Sequence, residues 1–186
     1  ANWGRCPRLC HSSPAGSAGA LPSKRRHRDP CRYTRTMAQT LTRLLLHIVF
    51  STKNREPLIT SSVSTELYKY LSGIARNHDS PALAVGGVAD HVHLLVSLSK
   101  NIACADLLMH LKRDSSKWIK TKGREFAAFA WQEGYGAFTI GESQIEVLAR
   151  YINNQEDHHK ARSFQDEFRD LLAKYRVEHD ERLVWG

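Results

Sequence analysis

At 186 residues and 21.1 kDa, the chain is long enough to form one ordinary domain with a buried core. Its longest apolar run, "LLLHIVF" at 44–50, is far shorter than the roughly 20 residues that cross a bilayer, which excludes a membrane-spanning protein. The formal net charge is +8, but residues 1–36 contribute +7 of it. Because there is no secretory signal and Cys104 is the only cysteine after residue 36, a cytoplasmic protein is expected.

Residues 1–36 are predicted to be a disordered basic extension, because they contain four of the six prolines and the cluster "KRRHR". Regular patterning begins at Met37, which we interpret as the natural start of one domain over 37–186. The alternative interpretation is a basic arm that gathers nucleic acid. The same segment contains four candidate zinc ligands, but their spacing matches no standard finger: Cys6, Cys10, His11 and Cys31.

After the extension, the hydrophobic pattern alternates between strand and helix periods. Strands are predicted at 43–51, 82–88, 91–98 and 129–140. Helices are predicted at 61–77, at 102–121, from a capping box at Ser143 and Glu146 onward, and at about 163–175. This order is a split βαβ pattern, which predicts an α+β, ferredoxin-like fold: an antiparallel sheet with helices packed on one face.

The strand at 91–98 contains two imidazoles, His91 and His93, inside an otherwise apolar run. Because strand side chains alternate between faces, both point the same way, as two metal ligands would. Hydrogen bonding on a half-exposed face is the alternative. Zinc hydrolases with His-x-His-x-Asp-His and nucleotide hydrolases with His-x-His-x-His are both excluded by Leu95, which occupies the position of their next ligand.

The segment "RYINNQEDHH" places Tyr151 and Gln155 four residues apart, so they share a helix face at the edge of the apolar stripe. A phenol is a usable nucleophile, and an amide oxygen is a hard ligand that suits Mg²⁺ or Mn²⁺ better than zinc. The alternative is that Tyr151 packs against the core and Gln155 is solvated.

Together these segments resemble the HUH-type single-tyrosine transposases, which include the transposases of small single-strand insertion sequences and REP-associated tyrosine transposases. The resemblance covers about 41–186 and rests on the segments "HIVFSTKNREPLI", "DHVHLLV", "LKRDSSKWI", "GYGAFTIG", "RYINNQEDHH" and "SFQDEFRDLL".

The resemblance implies an HUH endonuclease-like site in which His91, His93 and Gln155 bind Mg²⁺ or Mn²⁺ and Tyr151 is the nucleophile. It also implies homodimers whose tyrosine helices complete the active sites, with Gly141 in the hinge. Outside this set, His158 and His159 are not expected to be primary ligands.

The implied reaction is transposition of single-stranded DNA at hairpin-marked ends through a 5′-phosphotyrosine, which a second 3′-OH then resolves. No nucleotide cofactor is expected, because the sequence has no Gly-Lys-Ser/Thr phosphate loop. The local charge of +5 over residues 100–124 indicates a nucleic-acid partner more specifically than the net charge of the whole chain does. Phosphate contacts are predicted from Lys53, Lys112, Ser115, Ser116, Lys117 and Lys120.

Two other functions stay open at this point. One is a catalytically silent hairpin-DNA-binding module or repressor of the same fold, and the other is a metal-dependent nuclease that uses water and does not need Tyr151. The presence of both histidines, the tyrosine and the glutamine favours the transposase. Trp118 is expected in the core, with base stacking as the alternative.

Overall fold

The computed structural model describes residues 39–158 and 163–185, except for the side chains of Glu156, His158 and Leu183. The predicted extension at 1–36, its zinc ligands, Met37 and His159 lie outside the described residues. The strands are β1 (Leu44–Ser51), β2 (Ala82–Gly87), β3 (His91–Leu98) and β4 (Gly136–Thr139). The helices are α1 (Ser61–Asn77), α2 (Cys104–Ile119), α3 (Ile145–Asn153), α4 (Gln155–His158), α5 (Phe164–Lys174) and α6 (Glu181–Val184).

The four strands form one sheet in the order β2-β3-β1-β4, and every neighbouring pair is antiparallel. Strands β1 and β2 are joined through α1, and β3 and β4 through α2, so each helix makes a crossover between parallel strands that are not neighbours. This confirms the predicted α+β, ferredoxin-like split βαβ fold.

One face of the sheet carries the main hydrophobic core, and α1 and α2 pack against it. Valines and leucines at strand spacing, such as Val92, Leu94 and Val96 on β3, point to this face. The apolar stripe of α1 meets them at helical spacing through Val63, Leu67, Leu71 and Ile74. Each large side chain buried in this way contributes roughly 1.5–3 kcal/mol to folding.

The opposite face of the sheet carries His91 and His93 and is covered by a smaller cluster of apolar residues from α3 and the adjoining strands. The helices of the split βαβ unit therefore lie on one face as predicted, whereas α3 lies on the other face. Close packing of α3 depends on Gly86 of β2, because a Cβ there would overlap the backbone carbonyl of Ile152.

The predicted strand at 129–140 is only partly formed. Residues 136–139 pair with β1, and Trp131 makes a single bridge to Thr52. Between them, the carbonyls of residues 132–134 do not pair with β1. They accept hydrogen bonds from the ammonium of Lys112, at 2.9, 3.0 and 2.6 Å.

The predicted capping box at Ser143 and Glu146 is wrong, because Ser143 lies inside a 3₁₀ turn over Glu142–Gln144 whose N-cap is Gly141, two residues before the predicted cap. The Gln144 side chain accepts a hydrogen bond from the backbone N–H of Gly141 at 3.4 Å. No helix in the described part of the chain is long and apolar enough to cross a membrane.

Candidate metal and nucleophile site

Two buried imidazoles form the centre of the candidate site. His91 and His93 lie on the α3-facing side of β3 with 0 % exposure, and their ring centroids are 5.0 Å apart. This confirms that the two residues share one face of the sheet, as the strand alternation predicts.

A carboxylate completes this cluster. Glu167, on α5, places its two carboxylate oxygens 3.6 Å from His91 Nε2 and 3.4 Å from His93 Nε2. One ligand atom from each of the three residues lies within 4.8 Å of the others, which is compact enough to hold a metal ion. The position of α5 is set by Ser163, whose hydroxyl accepts a hydrogen bond from the N–H of Asp166 and caps the helix.

The sequence interpretation assigned no role to Glu167, although a signal was present. Phe164, Phe168 and Leu171 make the apolar stripe of α5, and Glu167 falls on that same stripe. A carboxylate on the buried side of an amphipathic helix requires a cation or hydrogen-bond donors. Burial raises the pKa of Glu167 to about 7; Asp90 adds to the rise and His91 opposes it.

Gln155 contributes an amide to the same cluster. Its side chain is 1 % exposed, and its Nε2 donates to Glu167 Oε1 at 3.4 Å. Its Oε1 is buried without a hydrogen-bond partner among the described residues. An orphaned amide oxygen beside two imidazoles and a carboxylate makes a mixed nitrogen and oxygen donor set that fits a divalent cation such as Mn²⁺ or Mg²⁺.

Each of the two imidazoles also has a polar partner at its Nδ1 atom. Asp90 Oδ1 lies 2.7 Å from His91 Nδ1, and His47 Nε2 lies 3.0 Å from His93 Nδ1. Both contacts leave the Nε2 atoms directed at Glu167, which is the arrangement by which outer-shell partners orient metal-binding histidines. Burial, with the charges of His93 and Lys174, lowers the pKa of His47 to about 3, so this imidazole is neutral at physiological pH. The sequence interpretation missed His47, which reaches the site only through the β1–β3 pairing.

Tyr151 reaches this cluster from α3. Its half-buried ring stands edge-on to His93, with ring centroids 5.9 Å apart. It lines a cavity of about 390 Å³ together with His47, Glu167 and Lys174. The prediction of one continuous helix face is wrong, because α3 ends at Asn153 and Gln155 begins α4. The break nevertheless leaves both side chains beside the histidines of their own chain.

The predicted hinge residue Gly141 has φ −76° and ψ 151°, an extended conformation that any residue adopts. The nearest atoms to a Cβ there are 3.9 and 4.0 Å away, so no close approach requires glycine at this position. A hinge at Gly141 therefore stays a prediction.

The predicted phosphate contacts divide into two groups. Lys53, Lys117 and Lys120 are exposed, and Ser116 is half-buried. Ser115 is fully buried: it donates to Leu111 O and accepts from Trp131 Nε1 at 2.9 Å, which corrects the prediction that it contacts DNA. The Lys112 ammonium holds the loop at 132–134, so a phosphate would have to compete with three carbonyls.

The half-buried Trp118 packs beside the main core and stacks on Tyr70 with ring centroids 4.8 Å apart. The ammonium of Lys122 lies 4.5 Å from the centre of the Trp118 ring. These contacts fit the expected packing role for Trp118.

Comparison with known proteins gives a family match. Residues 40–155, more than half of the chain, match the family described as "Transposase IS200 like". The chain is similar to the ISDra2 transposase TnpA of Deinococcus radiodurans, with 25% identity over 116 residues that cover 60% of this chain and 83% of that protein.

Two solved structures are also similar. A Deinococcus radiodurans protein named as a transposase has the same fold, with a TM-score of 0.50 and 24% identity over 62% of this chain and 93% of that one. A REP-associated tyrosine transposase bound to a REP hairpin has a TM-score of 0.49 and 13% identity, over 66% of this chain and 74% of that one.

Proposed function

Since the chain belongs to the IS200-like transposase family, we propose that it cleaves and rejoins single-stranded DNA at hairpin-marked ends through a covalent tyrosine intermediate. The observation that carries this proposal is the convergence of His91, His93, Gln155 and Glu167 in one buried cluster, with the ring of Tyr151 beside it. A transposase needs an activated phosphodiester and a nucleophile within reach of it, and these are the residue types that supply both.

In the proposed site, His91 and His93 hold a divalent cation, Mg²⁺ or Mn²⁺, through Nε2, with oxygen ligands from Gln155 and Glu167. Such a cation, when bound, withdraws negative charge from the scissile phosphate and orients it. In this proposal, Asp90 and His47 keep the imidazoles in the required tautomer: each accepts a hydrogen bond from the Nδ1–H of its histidine, which leaves Nε2 as the ligand atom.

The phenol of Tyr151 is the proposed nucleophile. Its oxygen forms a bond to the phosphorus as the bond from phosphorus to the 3′ oxygen breaks, which leaves a 5′-phosphotyrosine and a free 3′-OH. The phenol releases its proton to solvent, and the departing 3′ oxygen takes one up, so the step balances. Lys174 lines the same cavity as Tyr151, and its positive charge favours loss of the phenolic proton. A second 3′-OH reverses the step on a new strand, so the phosphodiester energy is conserved and no nucleotide cofactor is needed.

The exposed lysines Lys53, Lys117 and Lys120 are the proposed contacts to the DNA backbone, and the half-buried Ser116, next to Lys117 in the chain, is a proposed hydroxyl donor. The homodimer implied by the sequence resemblance is part of the proposal. Its direct test is the molar mass in solution by light scattering, with and without DNA.

The experiment that tests the function uses a single-stranded hairpin from the flanks of the gene, labelled at either the 5′ or the 3′ end, with Mn²⁺ and a denaturing gel. A protein-bound band that carries only the 3′ label is expected. Tyr151→Phe should abolish it, whereas Tyr175→Phe, which alters another tyrosine of the same cavity, should retain it.

The other outcomes identify the alternatives. Cleavage that persists in Tyr151→Phe would establish a nuclease that uses water. Tight hairpin binding by the wild-type protein without any cleavage would establish a DNA-binding module or repressor.

A further inference from the structure

A second cavity, of about 200 Å³, lies next to the proposed metal site. The two are separated by Phe164, whose ring stacks on His91 with centroids 4.4 Å apart and also lines this cavity. Four more aromatic rings contribute to its walls; they belong to Phe50, Tyr135, Phe168 and Trp185. Because only the Phe164 ring separates this cavity from His91, a DNA strand whose phosphate is held at the proposed metal site could extend into the cavity.

Among the described residues that line this cavity, the cationic one is Arg55. No described residue accepts a hydrogen bond from its guanidinium, and Nη1 is fully buried. Its charge faces the ring of Trp185, with Cζ 5.8 Å from the ring centroid. A buried guanidinium nitrogen without an acceptor is costly, and the usual remedy is an anion such as phosphate, which a guanidinium binds through two parallel hydrogen bonds.

The backbone that carries Arg55 is strained and held in place. Asn54 and Arg55 have φ values of 55° and 57°, in the left-handed region that non-glycine residues rarely adopt. Thr52 Oγ1 donates to Glu56 O at 2.7 Å, and the Asn54 N–H donates to Gln132 Oε1 at 3.2 Å. Strain maintained by neighbouring contacts in this way is typical of preorganised ligand sites.

Trp185, on the opposite side of the cavity, is also fixed by contacts with its neighbours. Trp185 Nε1 donates to Glu181 Oε2 at 2.8 Å, and Arg169 lies over its ring at 5.1 Å. Trp185 and α5 lie beyond residues 40–155, the part of the chain that matches the family. This wall is therefore contributed by the chain's own C-terminal segment.

We propose that this cavity is a nucleotide subsite, in which Arg55 binds a backbone phosphate and Trp185 stacks on the base of a nucleotide that flanks the cleaved phosphodiester. The choice of substrate rests on the proposed function. Every nucleotide of single-stranded DNA has a phosphate for Arg55 and an accessible base for Trp185, and aromatic stacking tolerates any base.

The test measures binding of a fluorescein-labelled oligothymidylate, about 12 nucleotides long and thus within the usual site size, by fluorescence anisotropy at several salt concentrations. Trp185→Ala should weaken binding by roughly 10-fold, and Trp185→Phe should restore most of it. Arg55→Gln should lower the slope of log affinity against log salt by about 0.7, the value for one phosphate contact on a single strand. Arg43→Gln, which removes an exposed arginine before β1, is the charge control and should leave the slope closer to that of wild type.

A second readout reports stacking directly. Addition of the unlabelled oligothymidylate should quench tryptophan fluorescence in the wild-type protein. Trp185→Phe should lose this quenching while it still binds the oligonucleotide, a result that a purely structural role for Trp185 would not produce. Thermal melting of each variant shows whether it is folded, and Trp185→Phe and Arg55→Gln keep the test valid if Trp185→Ala does not fold.

The outcomes separate this inference from the proposed function. Unchanged affinity, salt slope and quenching in the folded variants, with the covalent adduct still formed by the wild-type protein, would overturn the nucleotide subsite alone. Weakened binding in the variants, with no adduct formed by the wild-type protein, would support the subsite and overturn the tyrosine mechanism.

Discussion

The approach of α3 to β2 at Gly86 provides a sharp test of how Tyr151 is positioned. A methyl group at this position would overlap the carbonyl oxygen of Ile152 and would lie 3.1 Å from its carbonyl carbon. The carbonyl would have to retreat by about 1 Å to reach an ordinary carbon–oxygen contact of roughly 3.3 Å. Because Ile152 follows Tyr151 directly, Gly86→Ala should move the nucleophile by a similar distance.

A misplacement of about 1 Å can reduce the rate of a positioned reaction by about 100-fold. We therefore expect Gly86→Ala to slow formation of the protein–DNA adduct about 100-fold under single-turnover conditions. The overlap should also lower the free energy of unfolding by roughly 1–3 kcal/mol. Binding of Mn²⁺ should change less than the adduct rate, because only Gln155 of the four proposed ligands is connected directly to the end of α3, whereas His91, His93 and Glu167 lie on β3 and α5.

The matched control is Gly73→Ala, since a Cβ at Gly73 on α1 has no atom within 4 Å. This substitution should raise stability by about 0.5–1 kcal/mol, as expected for alanine in place of glycine within a helix, and leave the adduct rate unchanged. A wild-type adduct rate in folded Gly86→Ala would refute the claim that this contact positions Tyr151.

Three further predictions follow from the site and its supports. Glu167→Gln should weaken Mn²⁺ binding by at least about 10-fold in calorimetry, and unchanged affinity would remove Glu167 from the metal site. His47→Leu removes the partner of His93 Nδ1 and should weaken Mn²⁺ binding by about 10- to 100-fold; equal affinity in the folded variant would show that this contact does not orient His93. Ser115→Ala leaves the indole N–H of Trp131 without its acceptor, so chemical denaturation should show a loss of about 1–3 kcal/mol. The salt slope of DNA binding should stay the same in that variant, and a shallower slope would restore Ser115 as a phosphate contact.

Much of the fold could be predicted because it depends on local periodicity. The bounds of α1 and β3 agree with the helix at 61–77 and the strand at 91–98, whose apolar residues recur at helical and strand spacing. The strand predicted at 129–140 is longer than the observed one. The hydrophobic pattern does not show that the carbonyls of residues 132–134 accept hydrogen bonds from the Lys112 ammonium instead of from a neighbouring strand.

The candidate site was predictable only where its residues are close in sequence. His91 and His93 share a strand face, and that relation can be derived from alternation alone. His47 and Glu167 reach the site from other elements, through the register of β1 with β3 and the packing of α5. Such long-range relations are set by tertiary structure, although the acidic residue on the apolar stripe of α5 was a usable sign.

The central claim is that Tyr151 becomes covalently linked to DNA. The most direct measurement is mass spectrometry of the peptide–oligonucleotide adduct, isolated after the wild-type protein has reacted with single-stranded hairpin DNA and Mn²⁺ and has been digested with protease and nuclease. The account predicts a nucleotide mass attached to the peptide that contains Tyr151, at the tyrosine oxygen. A nucleotide attached to another residue, or efficient cleavage with no attached nucleotide, would contradict it.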